Sequence, residues 1–573
     1  MRAIADSHAA YFICPLYGGM VCMKRLLVIF ALLAAVVMPL SVMAQSPDTI
    51  VIRGFGNIVT FNPHMTTDGA SYQAYSLLFP APFLTDSFTG QAVPGLTSWT
   101  ISEDGLTYTF SIDPDAVWSD GTPITADDMV YSINAIKSDV DTVLEQNVAL
   151  IDSVNKIDNK TYEVVLSGND CSILSNLSAI RFLPAHKLAA DFSDFETSSL
   201  WTNPDISGGS YILEEWAPDE GQRFRANPDH WAGEPKIPFL VNRVVGDQAV
   251  AVQGIQSGDL DYTYFQGDLF QQIADKSNLQ YQSFSALQVN FLSFNWADPA
   301  NPQSAYDEAG NPVEQTPHPI FSDPAVRKAA VMAFNIDDVI STLGGAEGGT
   351  PLVGPVTPVL TWAYNSSISR PAYDPEGAAA LLEEAGWVDS NGDGVREKDG
   401  VPLAFTISYS NILQHFETTA LVAQDQLEAV GFDVELELVE WANYIDQIYF
   451  GQAYDATPMS NSGGTQTPDP NDFMTLVDSH EDIVGSGNNL ASYVNPEVDA
   501  LIDQARSLPG CDPAARAEIY YQIQQITQDD VAYNWTYVPN IFHVANNRVG
   551  NFNPGPAWVY YGYTSYVHEW TLQ

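Results

Sequence analysis

Apolar and polar residues alternate along two stretches of the first third of the chain, Leu106-Thr-Tyr-Thr-Phe-Ser-Ile112 and Thr161-Tyr-Glu-Val-Val-Leu-Ser167. A period of two places every second side chain on one face, so both stretches predict half-buried strands. Ala404-Phe-Thr-Ile-Ser-Tyr409 and Val434-Glu-Leu-Glu-Leu-Val439 read the same way. Helix starts are marked by a capping residue followed by proline, at Asp323-Pro324, Asp374-Pro375, Asn495-Pro496 and Asp512-Pro513. Proline suits the first helical position because its missing N–H would be unpaired there anyway. The helix begun at Pro375 is predicted to stop at Gly386, a residue type that readily takes the left-handed closing conformation. Strands alternating with helices predict an α/β architecture, and no fixed-period repeat points to a solenoid or propeller.

One apolar run stands apart from this pattern. Leu26 to Val37 is unbroken, follows Lys24 and Arg25, and ends at Pro39, with Val42-Met43-Ala44 offering small residues around a cleavage point before Gln45. That is the pattern of a secretory signal peptide over 23–44. Residues 1–22 form a mixed, partly polar stretch unlike the start of a signal, and are expected to be a mis-called N-terminal extension ahead of Met23. Gln45 stands where a lipid-anchored protein would carry a cysteine, so the exported chain is expected to be periplasmic or secreted after cleavage near Ala44.

At 573 residues the chain exceeds the roughly 250–300 at which one hydrophobic core stops growing, so two or more lobes are expected. Its 22 Lys and Arg face 71 Asp and Glu, a net charge of −49 that repels phosphate backbones and makes nucleic acid a poor partner. The acidity reads as a solubility feature. Cys171 and Cys511 remain once the signal segment is removed. An oxidising compartment permits a disulfide, but two cysteines so far apart are no framework, and two buried free thiols are expected.

Catalytic signatures are missing. No G-x-S-x-G elbow, H-E-x-x-H zinc helix or G-x-x-x-x-G-K-[ST] phosphate loop occurs, and the nine histidines are scattered. Gly344-Gly-Ala-Glu-Gly-Gly349 lacks the lysine a phosphate loop needs. Asp389-Ser-Asn391-Gly-Asp393-Gly394 opens like a calcium loop, yet Gly400 stands where the bidentate Glu belongs; a tight Asx/Gly turn and a weak calcium site both remain open. No metal and no cofactor is therefore assigned. A secreted hydrolase, the rival from another class, would need a nucleophile or carboxylate pair converging in a cleft.

A longer signature is specific. Gly95-Leu-Thr-Ser-Trp99, Ser102-Glu-Asp-Gly105-Leu-Thr-Tyr-Thr-Phe110 and Val117-Trp118-Ser-Asp120-Gly121-Thr-Pro123-Ile-Thr-Ala126-Asp127-Asp128 resemble the signature of the family 5 extracellular solute-binding proteins, the capture components of ABC importers of the oligopeptide, dipeptide and nickel type. Ser207-Gly-Gly-Ser-Tyr211, Asn227-Pro-Asp-His-Trp231, Ser257-Gly-Asp-Leu-Asp261, Asp323-Pro-Ala-Val-Arg327, Asp469-Pro470 and Tyr493-Val-Asn495-Pro-Glu-Val-Asp499 follow in the family's order. The resemblance covers essentially the whole chain after residue 44.

This resemblance implies a periplasmic-binding-protein fold of the second type, with two lobes, a two-strand hinge and an extra inserted domain. Mapped onto this chain, domain I covers 45–81, 205–285 and 544–573, the inserted domain II 82–204, and domain III 286–543. Trp118, Asp127, Asp128 and Arg327 are then expected to maintain the fold. Ligand contacts of the family cluster in three places, which here correspond to Thr67, Asp68, Gly69, Ser71 and Tyr72, then to Asn295 and Trp296, then to Ser460, Asn461, Thr465, Gln466 and Asp469. Peptide binders of the family carry an Asp where Gln466 stands, accepting the peptide's ammonium. Asp68 and Asp469 are candidate substitutes. The implied function is non-catalytic capture of an oligopeptide-like solute for ABC permease subunits in the inner membrane, by a monomer. A neutral oligosaccharide is the alternative cargo, suggested by Gln466 and the polar loop around it. A nickel chelate, or a sensor kinase in place of the permease, are lesser alternatives.

Overall fold

The first strand, Thr49–Gly54 (β1), is buried at all six positions, as an Ile-Val-Ile run must be when both faces of its sheet are covered. The structure, a computed structural model, describes residues 46–573 apart from 308, 412, 464–466 and 556–561. The expected N-terminal extension, signal peptide and cleavage point therefore lie outside the described residues, as do Thr465 and Gln466. Asp48–Gln573 folds as one unit.

After β1 comes a short helix, Gly69–Tyr75 (α1). Thr97–Ile101 (β2), Thr107–Ile112 (β3), Ile151–Lys156 (β4) and Thr161–Leu166 (β5) then make an antiparallel sheet in the order β2-β3-β5-β4. The predicted alternation holds: Tyr108, Phe110 and Ile112 on β3 and Tyr162, Val164 and Leu166 on β5 are the buried positions. Phe110 and Tyr162 stack with ring centres 5.0 Å apart. Ala126–Ile136 (α2) packs on this sheet, and Ile173–Ser178 (α3) follows it. The Trp118/Asp128 part of the signature is structural: the buried indole donates to Asp128 Oδ2 at 3.3 Å, and the same carboxylate takes the amides of Thr125 and Ala185.

Tyr211–Ala217 (β6), Gly221–Ala226 (β7) and Phe239–Val244 (β8) return to the sheet of β1, where β8 lies parallel to it. Gln248–Ser257 (α4), Tyr262–Gln266 (β9) and Leu279–Ser285 (β10) complete this half of the chain. Gln288–Phe294 (β11) opens another sheet. Pro324–Met332 (α5), Pro375–Glu384 (α6), Ala404–Tyr409 (β12), Gln414–Glu428 (α7), Asp433–Leu438 (β13), Ala456–Ser462 (β14), Pro496–Arg506 (α8), Pro513–Asp529 (α9) and Asn534–Trp535 (β15) come next, and Tyr537–Asn546 (β16) rejoins the first sheet. The first sheet runs β10-β16-β9-β1-β8-β7-β6, with Gly349–Pro351 alongside β16; the other runs β13-β12-β14-β11-β15.

All four Asp/Asn-Pro starts are real helix caps. Asp323, Asp374, Asn495 and Asp512 each accept an amide of the first turn, and Gly386 closes α6 at φ +89°. The strand predicted at 434–439 begins one residue earlier, at Asp433.

Two short links join strands of the two large sheets directly, from β10 to β11 through Ala286 and Leu287, and from β15 to β16 through Thr536. The two links are bonded to each other, Thr536 N–H to the Asn290 carbonyl at 2.9 Å and Ala286 N–H to the Pro539 carbonyl at 2.8 Å. They form a two-strand connection.

The expectation of two free thiols is corrected. Cys171 and Cys511 are joined in a disulfide, with Cα atoms 5.3 Å apart. Folding seats the start of α3 against the end of α8, where the Cys171 amide donates to the Arg506 carbonyl at 2.8 Å, and this brings two cysteines from distant segments within bonding range.

Candidate functional site

The segment before α1 is held by its own side chains. Asp68 caps the helix, its carboxylate accepting the Ser71 amide at 2.8 Å, while Ser71 Oγ accepts the Val59 amide at 2.8 Å. Thr67 is exposed, Asp68, Gly69 and Tyr72 are half-buried, and Ser71 is buried. The Tyr72 hydroxyl accepts from Arg181 Nη2 at 2.6 Å.

Asn295 and Trp296 sit just beyond β11. Asn295 is buried and its amide is fully used: Nδ2 donates to the carbonyls of Gln452 and Tyr454, and Oδ1 accepts the Ala297 amide. Trp296 meets Tyr493 edge-on at 5.0 Å, and the Arg327 guanidinium lies 3.5 Å from the ring centre. Asn295 therefore fixes the end of β11, and Arg327 packs as the sequence suggested.

On the third segment, Ser460 and Asn461 end β14, half-buried. Asp469 lies 47 positions from Arg516 in sequence and is paired with it through both oxygens, at 2.7 and 2.8 Å. Arg516 also donates to Tyr520 Oη and the Ala505 carbonyl, and Asn471 donates to Ser172 Oγ at 2.9 Å. Burial, then the charge of Asp469, pushes the neighbouring Asp472 up to about 7. Both carboxylates suggested as substitutes for the missing ammonium acceptor are thus engaged within the protein, Asp68 by a helix amide and Asp469 by Arg516.

A cavity of about 360 Å³ opens between the two large sheets. Gln248 and Gln266 line it from the side of β9 and α4; Gln288 and Ser460 line it from β11 and β14; Gln414 and His415 enter at the start of α7. Its size falls in the range of small-molecule sites. Among the described residues that line it there is no Asp, Glu, Lys or Arg. Burial pulls His415 down to about 4, so its ring is neutral at physiological pH. The walls offer amides and hydroxyls from both sides of the two-strand connection, a lining suited to uncharged hydrogen-bonding groups.

Of the residues singled out from sequence, Ser460 reaches this cavity; Asn295 and Asp469 are held in networks of their own. Four glutamines and a histidine in four separate segments escaped sequence reading, because they share no motif and only the tertiary fold brings them together. Elsewhere, Asp389 and Asp393 turn inward onto the amides of Gly392, Gly394 and Val395, making an Asx-type turn. Asp478, His480 and Asp499 offer possible metal-ligand atoms within 4.8 Å of one another, and Asp499 is bonded to both the amide and the hydroxyl of Ser479.

Two mixed sheets joined by two strands, with a cavity between them and a separate four-stranded sheet inserted, define a two-lobed binding fold of the periplasmic type II class. Residues 91–483 match the description of the bacterial extracellular solute-binding proteins, family 5 Middle, and the chain belongs to that family. It is 27% identical over 504 residues to the oligopeptide-binding protein AppA of Bacillus subtilis, covering 87% of each chain. It is 26% identical over 530 residues to the dipeptide-binding protein of Escherichia coli, covering 87% of this chain and 90% of the relative. Among solved structures, HbpA2 from Haemophilus parasuis matches with a TM-score of 0.76 at 21% identity, covering 92% of this chain and all of the other. The AppA of Bacillus subtilis in complex with a nonapeptide matches at 0.66 and 24% identity, covering 92% and 99%. The family is one of solute binders, not enzymes. No helix among the described residues is long and apolar enough to cross a membrane.

Proposed function

We propose that the protein captures an oligopeptide-like solute between its two lobes and delivers it to the permease subunits of an ABC importer. The observation that carries this reading is the cavity lined from both sheets, on either side of a two-strand hinge. A solute that touches both walls stabilises the closed arrangement over the open one by its differential affinity, and the closed surface is what a permease recognises. The glutamine-rich lining supports a ligand read through its main-chain amides, since each carboxamide both donates and accepts. The names of the relatives, an oligopeptide-binding and a dipeptide-binding protein, support the same cargo class. The working form is a monomer in the periplasm or secreted.

A neutral oligosaccharide is the second reading. It is favoured by the engagement of Asp68 and Asp469 and by the absence of a carboxylate among the described lining residues of the cavity, because a free peptide brings an ammonium that needs one. Native mass spectrometry of the chain from Gln45 onward, with co-purified ligand released and identified, separates them. A ladder of peptide masses supports the first reading. Hexose-spaced masses replace it with the second.

A further inference from the structure

Four arginines are almost wholly buried, and three have strong fixed acceptors. Arg53 donates to the carbonyls of Val245, Tyr264 and Gly246; Arg327 to those of Phe321 and Asp530; Arg516 to the Asp469 carboxylate. Arg181 differs. Among the described residues its side chain donates to two hydroxyls, Tyr72 Oη at 2.6 Å and Ser76 Oγ at 3.3 Å, and to no carbonyl or carboxylate; its Nε, like that of Arg327, is buried with no partner. No described carboxylate stands within 4.0 Å of it, in a chain with 71 acidic residues. A buried guanidinium whose N–H groups lack strong acceptors is unfavourable unless something completes it.

Arg181 lines a separate cavity of about 40 Å³. Ser76, Ser210, Thr564, His230 and His568 share its wall, with no Asp or Glu among the described lining residues. The two imidazole rings lie 5.1 Å apart and are both buried, which keeps them neutral. The hydroxyls are O–H donors that add no competing charge, while the single N–H of neutral His230 is already given, through Nδ1, to the Gly233 carbonyl at 3.2 Å. A water needs roughly 10–15 Å³ of such space, so the cavity has room for about three waters or one compact ion. None of its lining residues comes from the β11–β15 sheet or its helices, so it is distinct from the cavity between the lobes.

We propose that Arg181, with the hydroxyls around it, forms a binding site for a small oxyanion, a carboxylate or phosphate group seated against the guanidinium. The planar fork of arginine matches two oxygens of either group. The oxyanion is either a free ion or the carboxylate of a bound cargo.

Two arms test the site. In the first, inorganic phosphate or acetate is titrated from 0 to about 10 mM at constant ionic strength while thermal unfolding is followed. A free-ion site gives a saturable rise in Tm of about 1–2 °C, lost in Arg181→Gln and weakened in His568→Ala. Non-specific salting effects do not saturate at these concentrations and do not depend on Arg181. In the second arm, a tripeptide library with free carboxyl termini is compared with its amidated counterpart. An affinity at least tenfold better for the carboxylates, abolished in Arg181→Gln, assigns the oxyanion to the cargo. This second arm alone rests on the transport reading, so its failure with success of the first leaves the site intact. No saturable shift and no carboxylate preference overturns the proposal. Should Arg181→Gln not fold, Arg181→Lys and His568→Ala carry the same comparison.

Discussion

Cys171, at the start of α3, and Cys511, between α8 and α9, are covalently joined, so the four-stranded insert is tied to the helices of the β11–β15 sheet. The same edge holds the Asn471–Ser172 hydrogen bond and the Asp469–Arg516 pair. The insert and these helices therefore meet through a bridge, a hydrogen-bonded network and a buried ion pair.

Removing the bridge releases a long loop in the unfolded chain. Cys171→Ser with Cys511→Ser is expected to lower stability by about 3–5 kcal/mol. Urea unfolding of the variant beside the oxidised wild type measures it; equal midpoints would refute the contribution.

Asp469 and Arg516 are both buried, so breaking the pair from one side strands a charge. Arg516→Met is expected to cost about 3–5 kcal/mol, and the double variant Arg516→Met, Asp469→Leu to recover much of that. A double-mutant cycle of unfolding free energies reads the coupling. Additive losses would show that the pair does not act as a unit.

His64 is wholly buried, and burial, then the charge of Arg181, pulls its pKa from 6.5 to about 3. Its Nε2 accepts the Arg181 amide at 3.1 Å, which requires the neutral ring. Between pH 6.5 and 3 the unfolded chain takes up a proton that the folded chain refuses, so this contribution is complete above pH 6.5 and is lost as pH falls towards 3. His64→Gln keeps an acceptor, and between pH 7 and 4.5 it is expected to lose about 2–3 kcal/mol less stability than wild type. Parallel acid-titration curves for the two proteins would contradict this.

Ser460 faces the cavity between the lobes. Ser460→Trp fills part of that space and is expected to weaken binding of the co-purified solute at least tenfold, about 1.4 kcal/mol, with little change in Tm. Calorimetric titration on the emptied protein provides the number. Unchanged affinity would move the cargo elsewhere.

Much of the fold was legible because it is written in local chemistry. Period-two alternation marked β3, β5 and β12 to within a residue, and four Asp/Asn-Pro pairs marked four helix caps, since these signals depend only on neighbours along the chain. The long run from Gly95 to Asp128 was specific enough to point to the family, and Trp118 and Asp128 in it turn out to hold the insert together. The length and the acid excess already called for several lobes and argued against a nucleic-acid partner.

Tertiary structure decided what depends on distant segments meeting. Sequence separation argued against the Cys171–Cys511 bond, yet the start of α3 meets the end of α8 and the sulfurs join. Asp469 looked free to receive a ligand until Arg516, a turn into another helix, occupied both of its oxygens. The glutamines of the cavity and the hydroxyls around Arg181 belong to no motif, because a binding wall needs only that side chains converge in space. Backbone periodicity and capping are properties of neighbours in sequence, whereas charge pairing, cross-linking and cavity lining are properties of neighbours in the fold.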